Sequence, residues 1–253
     1  MDLGLNGMNV AITGGSRGIG RAIATRLLDE GARVSISARG KDGVDEAVGA
    51  LTSHGTVIGA ALDAANREEL SAWIVDSAER LGGLDIYIAN ASGGGGGQTE
   101  EKFEASFQVD MMGLVRGVQA ALPYLEQSSG GSVIMIGTTA AIEQFGPGAT
   151  SYMSMKAGAI AYGSALAKDL AAKGIRVNSV SPGPILFDGG PWDRIRDAKP
   201  EFFDATLAMS PRGRLGTAEE IANVVAFVAS PAASWVTGQN LVVDGGFTRR
   251  HSF

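Results

Sequence analysis

The chain contains no cysteine. Structural disulfides, thiolate metal sites and a cysteine nucleophile are therefore excluded. Histidine is almost as scarce: His54 and His251 stand far apart, build no metal cluster, and read as solvated or capping side chains. No apolar run approaches the roughly 20 residues of a membrane-spanning helix, so no membrane partner is expected. Residues 1–10 (MDLGLNGMNV) lack a charged-then-apolar leader pattern, which together with the missing thiols fits a cytoplasmic protein. Cations are outnumbered, 21 Lys and Arg against 27 Asp and Glu, for a net charge of −6. That balance disfavours nucleic acid, whose binding needs a basic footprint.

What is present is a chain of 253 residues, 45% hydrophobic, enough for one sizeable core and a single domain. Short β-branched runs at 8–13, 33–37, 57–62, 84–89, 132–136, 175–180 and 240–243 read as strands. Between them Ile19, Ile23 and Leu27 recur at helical spacing, as do Leu70, Ile74, Ala78 and Leu81. Further helices are expected over 42–51, 151–173 and 219–229, with one long helix through Phe103, Phe107, Leu114, Val118 and Leu122. Such alternation predicts an α/β fold, a doubly wound parallel sheet with helices on both faces. No linker or repeat interrupts it. Five consecutive glycines at 93–97 read either as a flexible loop or as a close backbone approach to a ligand.

The first strand runs into Thr13-Gly14-Gly15-Ser16-Arg17-Gly18-Ile19-Gly20. Glycines there allow a sharp turn and close approach of a pyrophosphate, and the following helix start supplies unpaired N–H groups. The spacing is G-x-x-x-G-x-G; by itself it also fits a plain strand-to-helix turn. Further on lie Asp63, Asn90-Ala91-Ser92-Gly93, Tyr152-Met153-Ser154-Met155-Lys156, Pro182-Gly183-Pro184-Ile185, Val236-Thr237-Gly238-Gln239 and Asp244-Gly245-Gly246. In this order the motifs resemble the short-chain dehydrogenase/reductase superfamily over essentially the whole chain, with a general similarity to its 3-oxoacyl-thioester reductases. Ser92 departs from the family's N-A-G segment.

The resemblance implies a nicotinamide cofactor held by Gly14, Ser16, Arg17, Gly18, Ile19, Gly20, Ser37, Arg39, Asp63, Asn90, Ala91, Tyr152, Lys156, Pro182, Gly183 and Ile185. Charge selects which one. NAD-binding folds of this type place a carboxylate at the end of the second strand, whereas here Ser37-Ala38-Arg39 has none. A 2′-phosphate needs cationic forks, and Arg39 and Arg17 supply them, so NADP (NADPH) is expected.

Tyr152 and Lys156, at i and i+4, share one helix face. A phenol ordinarily ionises near ~10; making one act as a base at neutral pH takes about 4 kcal/mol of differential stabilisation, which a neighbouring ammonium can provide. The resemblance implies that Tyr152 is the general acid and base, that Lys156 holds the ribose, and that the protein is a homodimer or homotetramer. Two positions depart from the family. Thr139, preceded by Thr138, stands where a serine is common; it keeps a hydroxyl but narrows the pocket. Asp110 stands where an asparagine positions a water; it loses an amide donor and adds charge, or is merely a solvated or capping aspartate.

The stretch 184–216, with Phe187, Trp192, Arg194, Arg196, Lys199, Phe202, Phe203 and Met209, is expected as a Pro/Gly-rich loop serving as substrate lid. The implied activity is hydride transfer between NADP and a ketone or secondary alcohol, including a 3-oxoacyl thioester. A sugar or polyol dehydrogenase, or a catalytically impaired NADP-binding scaffold protein, remains the alternative.

Overall fold

Strand and helix alternate through the protein's computed structural model, which describes residues 1–94, 96–144 and 148–249. β1 (Asn9–Thr13), β2 (Arg33–Ala38), β3 (Val57–Ala61), β4 (Ile86–Ala89), β5 (Ser132–Ile136), β6 (Arg176–Pro182) and β7 (Asn240–Val243) form one sheet. Its order is β3-β2-β1-β4-β5-β6-β7, and every neighbouring pair is parallel. The order reverses between β1 and β4, where open α/β sheets form a crevice at their carboxyl ends.

The helices are α1 (Gly18–Asp29), α2 (Lys41–Leu51), α3 (Arg67–Leu81), α4 (Glu100–Ser106), α5 (Gly113–Leu125), α6 (Ser151–Ala171), α7 (Pro191–Ala198), α8 (Pro200–Met209) and α9 (Ala218–Ala229). Side chains alternate across each strand, so the sheet has two cores. Ile12, Ile86, Ile88 and Ile134 meet Ile23 and Leu27 of α1 and Ile221 and Val225 of α9. On the opposite face Ala11, Tyr87, Val133 and Met135 meet Leu70 and Ile74 of α3, Leu114 and Val118 of α5, and Ala159 and Leu170 of α6. Among the described residues no helix is long and apolar enough to cross a membrane. His54 is a surface partner of Asp29, with Nδ1 2.7 Å from Oδ1; Gly95 and His251 lie outside the described residues.

Two expectations need correction. The long helix expected through Phe103 and Leu122 is broken by a π-helical turn, Phe107–Met112, between α4 and α5. Ser106, Asp110, Leu114 and Val118 are all buried at intervals of four. An α-helix advances only 3.6 residues per turn and would drift off that face; the wider turn keeps it inward. The second correction is 184–216, which is not merely loop. It carries α7 and α8, each opened by a proline in its first turn, where the missing N–H costs nothing.

α5 lies close to the sheet because residue 117 is glycine. A Cβ there would stand 1.9 Å from the Tyr87 hydroxyl. That hydroxyl is fully buried without a hydrogen bond of ordinary geometry. Burial pushes the Tyr87 phenol well above its ordinary value, an effect the neighbouring Thr13 hydroxyl only partly offsets. Gly117→Ala should therefore cost about 1–3 kcal/mol through overpacking. The double variant with Tyr87→Phe should recover most of that loss, because the colliding oxygen is gone. Urea unfolding of the four proteins of the cycle checks this; additive losses would show that the collision is relieved elsewhere.

Candidate active site

Thr13 ends β1 and ties the glycine turn to the end of β4. Its hydroxyl accepts the Asn90 and Ala91 amides at 3.1 Å each. Asn90 Nδ2 donates back to the carbonyls of Thr13 (3.0 Å) and Gly14 (2.9 Å). Gly14 adopts φ +70°, and a Cβ on Gly20 would lie 2.2 Å from the Gly14 oxygen, so the turn is built for glycine. α1 then begins with neither a side-chain cap nor an acidic residue in its first turn, leaving amides and the positive dipole end for an anion. At the end of β2, Ser37 accepts the Gly15 amide through its carbonyl at 3.0 Å. Arg39 is exposed beside it. Asp63 is fixed by its own turn, with Oδ1 accepting the Ala65 amide at 3.0 Å.

The other end is built on α6. A Cβ on Gly163 would stand 1.8 Å from Met135 Cε, so glycine lets the helix lie against β5. Lys156 is thereby buried, 4% exposed. Its Nζ donates to the Ile136 carbonyl at 2.9 Å and lies 3.2 Å from Asp110 Oδ1. Asp110 is buried too, and its Oδ2 accepts the Gly93 amide at 3.2 Å. The aspartate is thus not solvated: the π turn aims it inward, and the lysine and the glycine amide hold it.

Tyr152 is half-buried one turn before Lys156. A Cβ on Gly96 would lie 2.7 Å from Tyr152 Cβ, and Gly97 exchanges hydrogen bonds with Ser151 at 2.8 and 3.2 Å. Gly96 and Gly97 therefore approach the start of α6 closely, while Gly94 lines the cleft between the two ends. The short 3-10 turn Thr139–Ala141 follows β5. Thr138 is occupied as its cap, accepting the Ala140 amide at 3.2 Å. Thr139 is fully buried, and its hydroxyl has no partner.

One cleft of about 710 Å³ joins the two ends and is lined by every expected site residue except Gly18 and Asp110. Gly18 faces the 184–216 segment: a Cβ there would lie 2.5 Å from the Phe187 ring. Asp110 borders a separate cavity of about 20 Å³ beneath, shared with Tyr87 and Lys156. From 184–216 the cleft takes Phe187, Trp192 and Arg194, and also Ile195, which the composition of that stretch did not single out. Phe203 is buried, Phe202 stacks on Trp192 with ring centres 5.9 Å apart, and Arg196 pairs with Asp193. The contact of Gly93 with Asp110 left no signal in the sequence. A nicotinamide dinucleotide fits this cleft: the glycine cradle admits no Cβ, the first amides of α1 are uncapped, and a buried hydroxyl awaits an acceptor.

The family model described as enoyl-(acyl carrier protein) reductase matches residues 14–248. Isoepoxydon dehydrogenase of Penicillium expansum is 41% identical over 247 residues, covering 96% of this chain and 95% of that protein. A short chain dehydrogenase of Burkholderia cenocepacia, solved in complex with NADP, matches at TM-score 0.88 and 31% identity over 96% of this chain and 98% of that one. A 7α-hydroxysteroid dehydrogenase, complexed with NADH and 7-oxo glycochenodeoxycholic acid, matches at TM-score 0.89 and 34% identity over 97% and 96%. Fold, motif order and these likenesses agree: the chain belongs to the short-chain dehydrogenase/reductase family of oxidoreductases.

Proposed function

We propose that the protein interconverts a ketone and a secondary alcohol of a small molecule, with NADP(H) as hydride partner. The observation that carries this reading is Thr139 Oγ1, buried without a partner in the cleft that also holds Tyr152 and Lys156. Leaving a buried hydroxyl unpaired is costly, and a substrate oxygen relieves that cost. The bound dinucleotide supplies the hydride in one direction and accepts it in the other. In reduction Tyr152 Oη donates its proton to the substrate oxygen while Thr139 Oγ1 donates a hydrogen bond to it. In oxidation the same tyrosine oxygen takes the proton back. Lys156 favours the negative charge that forms on the phenol oxygen as the proton leaves, and Asp110, 3.2 Å from Nζ, favours the charge on the lysine.

NADP rather than NAD is supported by the cations at the adenosine end. Among the described residues neither Arg17 nor Arg39 forms an ion pair, and no carboxylate stands in the Ser37-Ala38-Arg39 segment. We assign 184–216 as the substrate lid. Its base is pinned where Leu186 donates to Gly216 and Gly216 to Pro184, at 2.9 and 3.0 Å, and its inner wall of Phe187, Trp192 and Ile195 suits an apolar reactant. Likeness to the Penicillium enzyme makes isoepoxydon the first substrate to test. The description of the matching family model keeps an acyl thioester as the second.

Tyr152→Phe should slow NADPH consumption about 10²–10⁴-fold while leaving NADPH affinity largely intact by fluorescence titration. A variant turning over near the wild-type rate would remove tyrosine from the proton step. Arg39→Asp should weaken NADPH about 10–100-fold, the value of a lost charge-assisted contact, and improve NADH relative to it. An unchanged NADPH/NADH ratio would rule out Arg39 as a phosphate contact.

A further inference from the structure

The lid contributes a cation that the mechanism above does not use. Arg194 of α7 donates through Nη1 to the Gly189 carbonyl at 2.6 Å, and Arg17 of the glycine turn donates through Nη1 to that same oxygen at 3.3 Å. Two guanidiniums from distant parts of the sequence therefore converge on one neutral acceptor. Both line the cleft, with Arg39 on the same rim. Among the described residues Arg17, Arg39 and Arg194 have no ion pair, as also holds for Arg33, Arg67, Arg116, Arg176, Arg212 and Arg249; what sets the first three apart is that they line one cleft. Two carboxylates adjoin them. Asp193 is taken by Arg196 and by the Gly189 amide at 2.9 Å, and Asp188 is exposed without an ion pair. Like charges gathered in this way repel one another until an anion enters between them. The rest of the lid is seated at the same place, with the Phe187 ring over Gly18.

We propose that Arg194 is a third arm of the site for the cofactor 2′-phosphate, exchanging the Gly189 carbonyl for phosphate oxygens and so latching α7 over the cleft when a phosphorylated dinucleotide is bound. The inference rests on the NADP reading and goes beyond it: cofactor choice is made partly by the lid. Arg194 lies outside the proton-transfer machinery, so its contribution belongs to binding. Trp192, two residues away and stacked on Phe202, provides a local reporter of lid closure.

The test is binding of four ligands to the full-length protein and to Arg194→Ala by calorimetry: NADPH, NADH, adenosine 2′,5′-bisphosphate and adenosine 5′-monophosphate. Trp192 emission is recorded in parallel, with Trp192→Phe identifying its signal. Wild-type protein should bind the bisphosphate more tightly than the monophosphate, and only the former should change Trp192 emission. In Arg194→Ala the two ligands with a 2′-phosphate should weaken about tenfold, the other two should change less than twofold, and the emission change should vanish. Equal weakening of all four ligands, or of none, would overturn the latch while leaving the NADP reading intact. A wild-type protein that does not distinguish the two adenosine phosphates would overturn both. Unchanged thermal unfolding of the variant shows that a binding loss is not a folding loss.

Discussion

A single buried ammonium organises the chemical end of this protein. Lys156 is out of water, and an isolated charge there would be very costly. It is tolerated because the Ile136 carbonyl and the Asp110 carboxylate flank it at 2.9 and 3.2 Å. Each of those partners requires something further. The carbonyl is in reach because Gly163 lets α6 lie against β5. The carboxylate is in reach because a π turn keeps residue 110 on the inward face, and it is satisfied on its other side by the Gly93 amide. Helix spacing, strand end and glycine run are thus parts of one electrostatic arrangement. An asparagine in place of Asp110 would keep the shape but lose the charge that balances the lysine.

The dinucleotide end rests on neutral hydrogen bonds instead. Thr13 and Asn90 lash the ends of β1 and β4 together, and these are the two strands between which the sheet reverses direction. The crevice that the topology opens is therefore closed at its floor by side chains, and the glycine turn cannot spread when an anion approaches. Arg176 does similar work farther along. Its guanidinium donates to the carbonyls of Val228, Ala229 and Ser230 at 2.7–3.0 Å, capping α9 and anchoring β6, whose last residue, Pro182, lines the cleft.

How far these features were legible in the sequence depended on whether their cause was local. Strand positions were legible because a short β-branched apolar run is a local signal in a sheet covered on both faces, and β5 and β7 stand where the runs at 132–136 and 240–243 placed them. The π turn was not, since Phe103, Phe107, Leu114 and Val118 are spaced as an unbroken helix would space them; only the burial of Ser106 and Asp110 betrays the wider turn. α7 and α8 were hidden by their own start signals. Pro191 and Pro200 read as loop punctuation, yet proline in a first turn also begins helices. Thr138 and Thr139 could not be told apart by type, and the 3-10 turn separates them by engaging one hydroxyl and leaving the other unpartnered.

The two ends of the cleft are not independent, because 184–216 touches both. Its base leaves β6 at Pro182, beside the reacting end, and is pinned through Pro184, Leu186 and Gly216. Its first turn then reaches the glycine loop, where Phe187 meets Gly18 and Gly189 accepts from Arg17. On the proposed lid assignment, a segment clamped at one end of the cleft and resting on the glycine turn at the other couples the two ends without any change in the sheet. Under that assignment, contacts made far from the reacting atoms favour lid ordering, which is how remote binding energy is put to use at a reacting centre. The strands supply the rigid frame; the segment proposed to respond to the cofactor is the one whose helices, α7 and α8, the sequence concealed.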